Sequence, residues 1–132
     1  MSFEMDLSKF GDKAIKNADK VIRKIGLDLH GKIVKRMPVD TGRAKANTQT
    51  SLNNLPSDSV IETDKTGIRT ISSAGRQLAS FTLGDTIFIY NNVEYILALE
   101  YGSSKQAPKG MFRISLEEVM QDIGAIARQE TS

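Results

Sequence analysis

From about Ser8 to Arg36, apolar residues recur at spacings of three and four: Ile15, Ala18, Ile22, Ile25, Leu29 and Ile33 form one stripe, widened by Ala14 and Val21. That period belongs to one face of a helix and predicts a long amphipathic one. On the other face Asp12–Lys16, Asp19–Arg23 and Asp28–Lys32 set an acid four residues before a base, the favourable order. Gly11, Gly26 and Gly31 weaken the helix, each by up to ~1 kcal/mol relative to alanine, and Gly26 and Gly31 suggest close packing or a bend. Pro38 biases Met37 away from helical geometry, so the helix is expected to end there.

Pro38-Val39-Asp40-Thr41-Gly42-Arg43 reads as a tight, specified turn: proline sets φ, the aspartate can bond the backbone ahead of it, and Gly42 allows a positive φ. Residues 44–52, AKANTQTSL, alternate loosely as a half-exposed strand does. Residues 53–73 are polar and rich in turn formers. They fit a hairpin, Val60–Thr63 pairing with Ile68–Ile71, or a mobile arm that orders on contact, and the shortage of apolar residues favours the arm. A short helical turn is expected within Ala74–Phe81.

Asp85–Asn91, DTIFIYN, is the clearest strand, with an uninterrupted β-branched and aromatic run that predicts cover on both faces. Val93–Tyr101 suits a short helix packed on the sheet, or a strand; Leu97-Ala98-Leu99-Glu100 favours the helix, with Gly102 as its C-cap. Residues 111–129 predict a last helix whose apolar face carries Phe112, Leu116, Val119, Met120, Ile123, Ile126 and Ala127. Its start is expected at Gly110, or at Ser115, which with Glu118 has capping-box spacing. The sum is an α+β fold, one domain over residues 1–132: a small antiparallel sheet with the long first helix and the last helix on one face.

Composition narrows the function classes. The chain has 132 residues, 39% hydrophobic and 26% charged, enough for one modest core that must be mostly aliphatic, since aromatics are 6% and tryptophan is absent. No cysteine is present, which removes disulfides, thiolate catalysis and cysteine metal sites. No apolar run predicts a membrane span, and MSFEMDLSKF lacks the pattern of a signal peptide. The net charge of +2 is uneven, with ten Lys/Arg against six Asp/Glu over residues 1–43 and eight against ten thereafter. Lys13, Lys16, Lys20, Arg23 and Lys24 form a basic flank on the first helix. It suits phosphate or an acidic partner, but without interleaved aromatics a solvated face is the simpler account.

Catalytic chemistry finds little support. His30 is the single histidine and has no motif partner; no serine sits in a Gly-x-Ser-x-Gly elbow, and phosphate-binding glycine loops are absent. Glu94 and Glu100 are close enough in sequence to be weighed as an acid/base pair. Glu100 is better explained as satisfying backbone donors or a cation in the adjoining loop. The expectation is a non-enzyme with no cofactor and no metal.

Two blocks, PVDTGR at 38–43 and NNVEYILALEYGSSKQAPKGM at 91–111, stand in fixed order between a long first helix and a last one. In this the chain resembles the tail-completion, or neck, proteins of bacteriophages with long non-contractile tails, over most of its length except residues 53–82. The resemblance implies a structural virion protein that closes the head-proximal end of the tail and meets the head connector. Its partners would be other tail, neck and connector proteins and copies of itself in a ring, with host cytoplasm the site of assembly. Pro38, Thr41, Gly42, Asn92, Tyr95, Glu100, Gly102 and Pro108 are the positions that match, and they are expected to shape the fold. Lys16, Lys20, Arg23, Ser103, Ser104, Lys105, Gln106 and Lys109 are the candidate assembly contacts, along with the arm around residues 55–70. The alternatives are a tail terminator or minor tail protein, or a small DNA-binding, packaging-associated protein using the basic helix.

Overall fold

The computed structural model describes residues 1–5, 18–102, 106, 107 and 109–131. The order of elements is β1 (Ser2–Met5), α1 (Ala18–Arg36), α2 (Arg43–Ala46), β2 (Gln49–Leu52), α3 (Ile68–Ala79), β3 (Ile87–Tyr90), α4 (Ile96–Glu100) and α5 (Phe112–Thr131). The three strands form one antiparallel sheet in the order β1-β3-β2. The fold is α+β, with β3 central as its unbroken apolar run requires. Ser2 pairs with Tyr90 on one side, and Gln49 pairs with Tyr90 on the other.

The predicted stripe of α1 is the core. Ile22, Ile25, Leu29 and Ile33 are buried together with Ile87 and Ile89 of β3, Leu78 of α3 and Phe112 and Val119 of α5. Helix α1 is thus packed by α3 and α5 as well as by the sheet. The first half of the predicted helix, with Ile15 on its stripe, lies outside the described residues. On α5 the expected face is narrower: Phe112 and Val119 are buried, Leu116 and Ile123 half-buried, and Met120 exposed.

Three expectations are corrected and one strand is new. Ser2–Met5 form a strand that no local pattern announces, because its partner lies some ninety residues away; next to it the Asn91 N–H donates to the Met1 carbonyl (3.0 Å). The 44–52 strand is only Gln49–Leu52, since the turn at Gly42 leads into the one-turn helix α2 instead. The 60–71 hairpin does not form, because Ile68–Ala79 is helical. Helix α5 starts at Phe112 rather than Gly110 or Ser115, so Ser115 is no N-cap.

Helix α3 has a physical cause outside its own sequence. The buried Asp64 carboxylate accepts from the N–H groups of Gly67 (3.1 Å) and Thr70 (2.9 Å) and from the Thr70 hydroxyl (2.8 Å). These are donors that a helix start leaves without partners. Burial raises the Asp64 pKa, but these hydrogen bonds, with nearby Arg69, outweigh it and hold the group below the ordinary aspartate range. Glu118 makes the comparable link between helices: Lys32 (3.5 Å) and Arg36 of α1 both reach its carboxylate, and Arg36 also donates to the Ser115 hydroxyl (3.0 Å).

Residues 54–64 have no regular secondary structure but are held to the body at named points. Asn47 donates to the Val60 carbonyl (2.9 Å) and accepts from the Val60 N–H (2.7 Å), while Asn92 donates to the Pro56 carbonyl (2.8 Å). The free arm favoured from sequence overlooked these side-chain amides. They supply the backbone partners that a sheet ladder would otherwise provide.

His30 is fully buried, its Nε2 2.7 Å from the Thr48 carbonyl, and burial pushes its pKa below the ordinary histidine value. The unfolded chain therefore binds this proton more readily, so stability is kept above the ordinary value and falls as pH drops below it. His30→Gln should flatten the part of the acid-unfolding curve that begins near pH ~6.5, the unperturbed histidine value. A second expectation concerns Gly31, where a Cβ meets nothing within 4 Å. Gly31→Ala should raise stability by about 0.5–1 kcal/mol, read as a shift of the urea midpoint.

Candidate functional site

The two sequence blocks meet in one place. After α1 ends, Gly42 adopts φ 90° and turns the chain, and its carbonyl accepts the Asp64 N–H (2.9 Å). A Cβ on Gly42 would lie 2.7 Å from the Lys65 nitrogen, so the turn needs glycine both for its φ and for the close approach of a second backbone. The Thr41 hydroxyl accepts the Arg43 N–H (3.2 Å), which fixes the exit of the turn.

Arg43 then acts as a clasp. Its guanidinium reaches both carboxylate oxygens of Glu94 (3.1 and 3.0 Å), the Val60 carbonyl (3.3 Å) and the Ser59 hydroxyl (3.2 Å). The Glu94 hydrogen bond is the main cause raising the Arg43 pKa above its usual value. From the other direction Gln106 pairs with Val39 reciprocally, accepting its N–H (3.0 Å) and donating to its carbonyl (3.3 Å). That two-bond contact ties the loop after α4 to the turn after α1, 67 residues apart.

Between these contacts lies a groove of ≈ 510 Å³, walled by the whole turn from Pro38 to Ala44 and by Tyr95, Leu99 and Gln106. Its chemistry is mixed and shallow in charge, with Asp40 and Arg43 as its ionised side chains. Tyr95 is 40% exposed, and Leu97 (57%) and Tyr101 (66%) are exposed as well, among the exposed polar side chains Asp40, Glu94 and Gln106.

Glu100, the residue after the groove-lining Leu99, is fully buried. One carboxylate oxygen accepts the N–H groups of Met111 (3.0 Å) and Phe112 (2.8 Å); the other accepts the N–H (3.1 Å) and Nε (2.9 Å) of Arg113. Arg113 also donates to the Glu100 carbonyl (2.6 Å) and lies 4.5 Å from the centre of the Tyr101 ring. A buried carboxylate thus occupies the positive end of α5 and meets its unpaired donors at once. Burial raises the Glu100 pKa; the three backbone N–H donors and the Arg113 guanidinium more than offset that and hold it below the ordinary glutamate value. Gly110, at φ 85°, makes room: a Cβ there would stand 2.6 Å from the Glu100 carbonyl oxygen.

Of the motif positions, the structure gathers Pro38, Thr41, Gly42 and Tyr95 around the groove, while Glu100 is committed to the start of α5; Asn92 holds the 56–58 backbone, and Gly102 (φ 91°) ends α4. Pro108 lies outside the described residues, as do Lys16, Ser103, Ser104 and Lys105. Lys109 is exposed, whereas the Gln106 amide is engaged with Val39. Lys20 is exposed and Arg23 is paired with Asp19. Both stand ~20 Å along α1 from the turn, at 1.5 Å per residue, so the basic flank does not belong to the groove. Glu94 and Glu100, weighed as an acid/base pair, are committed to Arg43 and to the start of α5.

Asp64 and Arg113 were missed as organising residues. Asp64 could have been found as an acid placed just ahead of a helix start, but the hairpin reading of Ile68–Ile71 hid the helix. Among the described residues, no group of three or more His, Asp or Glu is placed to hold a metal, and no helix is long and apolar enough to cross a membrane. No family model, curated protein or solved structure matches the chain.

Glu100→Gln should cost about 2–4 kcal/mol, since it removes the charge from a buried, fully bonded acceptor and leaves Arg113 without its anion. Because the folded Glu100 pKa is depressed, its stabilisation is present above the ordinary glutamate value and lost as pH falls through the folded one. Chemical denaturation of both proteins at neutral and acidic pH should show the gap between them narrowing towards acid. Gly110→Ala should destabilise by more than about 1 kcal/mol, through left-handed strain and the clash with Glu100.

Proposed function

We propose that this chain is a structural subunit of the phage virion, placed at the head-proximal end of a long non-contractile tail, where it completes the tail and meets the head connector. The observation that carries this is the junction itself. The two blocks on which the family resemblance rests, far apart in sequence, close on each other through Gln106 with Val39 and Arg43 with Glu94. Their charged and polar groups serve to hold shape, and Tyr95, Leu97 and Tyr101 are left exposed near them. Exposed aromatic side chains of this kind suit a protein–protein contact in an assembly.

A closed ring is the form this subunit takes in the proposal. Rings need different patches on the two sides of each copy, and the surface with Tyr95, Leu97 and Tyr101 differs in kind from the charged α1 face. The DNA-binding alternative rests on the basic flank of the first helix, of which Arg23 is tied to Asp19 while Lys20 is exposed; no aromatic side chain is interleaved with it to stack on bases.

The test is native mass measurement of the protein alone and mixed with tails of the phage that encodes it, with immunogold labelling of intact virions. The proposal expects several copies per tail and label confined to the neck. A protein that stays monomeric and never joins tails would contradict it.

A further inference from the structure

Between Ser51 and Asp64, both buried, the chain passes through residues 52–63 without one buried side chain. The apolar residues that could anchor this stretch do not: Leu55 is 47% and Ile61 88% exposed, and Pro56 and Val60 are only half-buried. Its two ends, by contrast, are pinned. Asn53, at φ 68°, donates its N–H to the Thr86 carbonyl (2.8 Å), and its side chain accepts the Thr86 N–H (3.0 Å). At the other end the Asp64 N–H goes to the Gly42 carbonyl (2.9 Å), and the Asp64 carboxylate caps α3.

Between these pins, no main-chain hydrogen bond joins residues 54–63 to the body among the described residues. Side chains hold them instead. Asn92 donates to the Pro56 and Asp58 carbonyls (2.8 and 3.2 Å), Arg69 to the Thr63 carbonyl (2.6 Å), and the Ser51 hydroxyl to the Asn54 carbonyl. Val60 is held by Asn47 through both its main-chain groups, and by Arg43, which also reaches the Ser59 hydroxyl. A groove of ≈ 520 Å³ lies between this stretch, β2 and α3, so its middle bridges open space instead of packing on the core.

Closing such a segment costs chain entropy that no buried apolar area offsets. Segments of this kind open locally, at a free energy well below that of global unfolding. Arg43 differs from the other holders because its guanidinium is itself oriented from outside, by both carboxylate oxygens of Glu94 (3.1 and 3.0 Å). Among the described residues, Glu94 has no hydrogen bond to residues 54–63.

We infer that residues 54–63 are a hinged strap over this groove, opening as a unit about Asn53 and Asp64, with the Arg43–Glu94 pair as its latch. When the pair parts, the guanidinium loses its aim at Ser59 and Val60, and the strap is released at its middle. Arg43 also lines the groove at the junction of the two sequence blocks, so a change there reaches the second groove through one side chain. The inference stands on the fold and does not depend on the virion role.

Amide hydrogen exchange on the full chain tests it, because the Val60 N–H, bonded to Asn47 (2.7 Å), is the one strap amide with a partner among the described residues. Val60 should be protected about 10- to 100-fold, and the middle of α1 at least about a hundredfold more. Exchange at Val60 should not respond to urea below the unfolding transition, whereas exchange in α1 should accelerate with it. Glu94→Gln, at a side chain 70% exposed, should lower Val60 protection about threefold. Salt at about 1 M should do the same to the unaltered chain and have no further effect on Glu94→Gln. Val60 protected as strongly as α1, or equally sensitive to urea, would overturn the strap. An unprotected Val60 would do so too, since nothing would then be closed. Val60 protection unchanged in Glu94→Gln would overturn the latch.

Discussion

One carboxylate governs the C-terminal half of this molecule. Glu100, fully buried, accepts four hydrogen bonds from three consecutive residues, Met111 to Arg113. A charge so placed would be costly in an apolar interior, but here it is met by a helix start and a guanidinium. Because it ends α4 and caps α5, it fixes the angle between them and the ends of the loop that joins them. Gly110 has to be glycine, Gly102 closes α4, and Gln106 can reach Val39, all as consequences of that placement.

Asp64 repeats the device at α3. There too a buried acid caps a helix that follows it, and there too a glycine, Gly42, lets a second backbone pass within contact. The two acids divide the polar work of the fold between them, leaving α1 and β3 to build an almost purely aliphatic core. That division suits a chain without tryptophan or cysteine, whose irregular segments must be held by hydrogen bonds instead of cross-links or large aromatic anchors.

What was legible in the sequence follows from the range of the forces involved. The α1 stripe and the β3 run are local patterns: the stripe appears as expected from Ala18 onward, and the strand forms at the centre of its expected range, Ile87–Tyr90. The role of Glu100 was legible as a need for backbone donors, but the partner Arg113 was not, since nothing in the spacing says which cation turns back. β1 is four residues long and defined by pairing with a strand at the far end of the chain, so it carries no local signal. The error at Ile68–Ile71 is of a third kind. Its β-branched residues favour a strand, and the hydrogen bonds of Asp64 at the helix start override that propensity. Among the functional candidates, the turn at 38–43 and the 91–111 block are visible in the sequence as motifs, yet their meeting through Gln106, Val39, Arg43 and Glu94 belongs to the fold alone.

The central claim is that the buried Glu100 carboxylate, rather than helix propensity, sets the beginning of α5. Helix starts ordinarily leave their first N–H groups open to water, and such amides exchange quickly. Hydrogen exchange at the Met111, Phe112 and Arg113 amides tests the claim most directly. The account predicts protection at all three comparable with that of the buried middle of α1. Rapid exchange at these amides, with α1 protected, would contradict it.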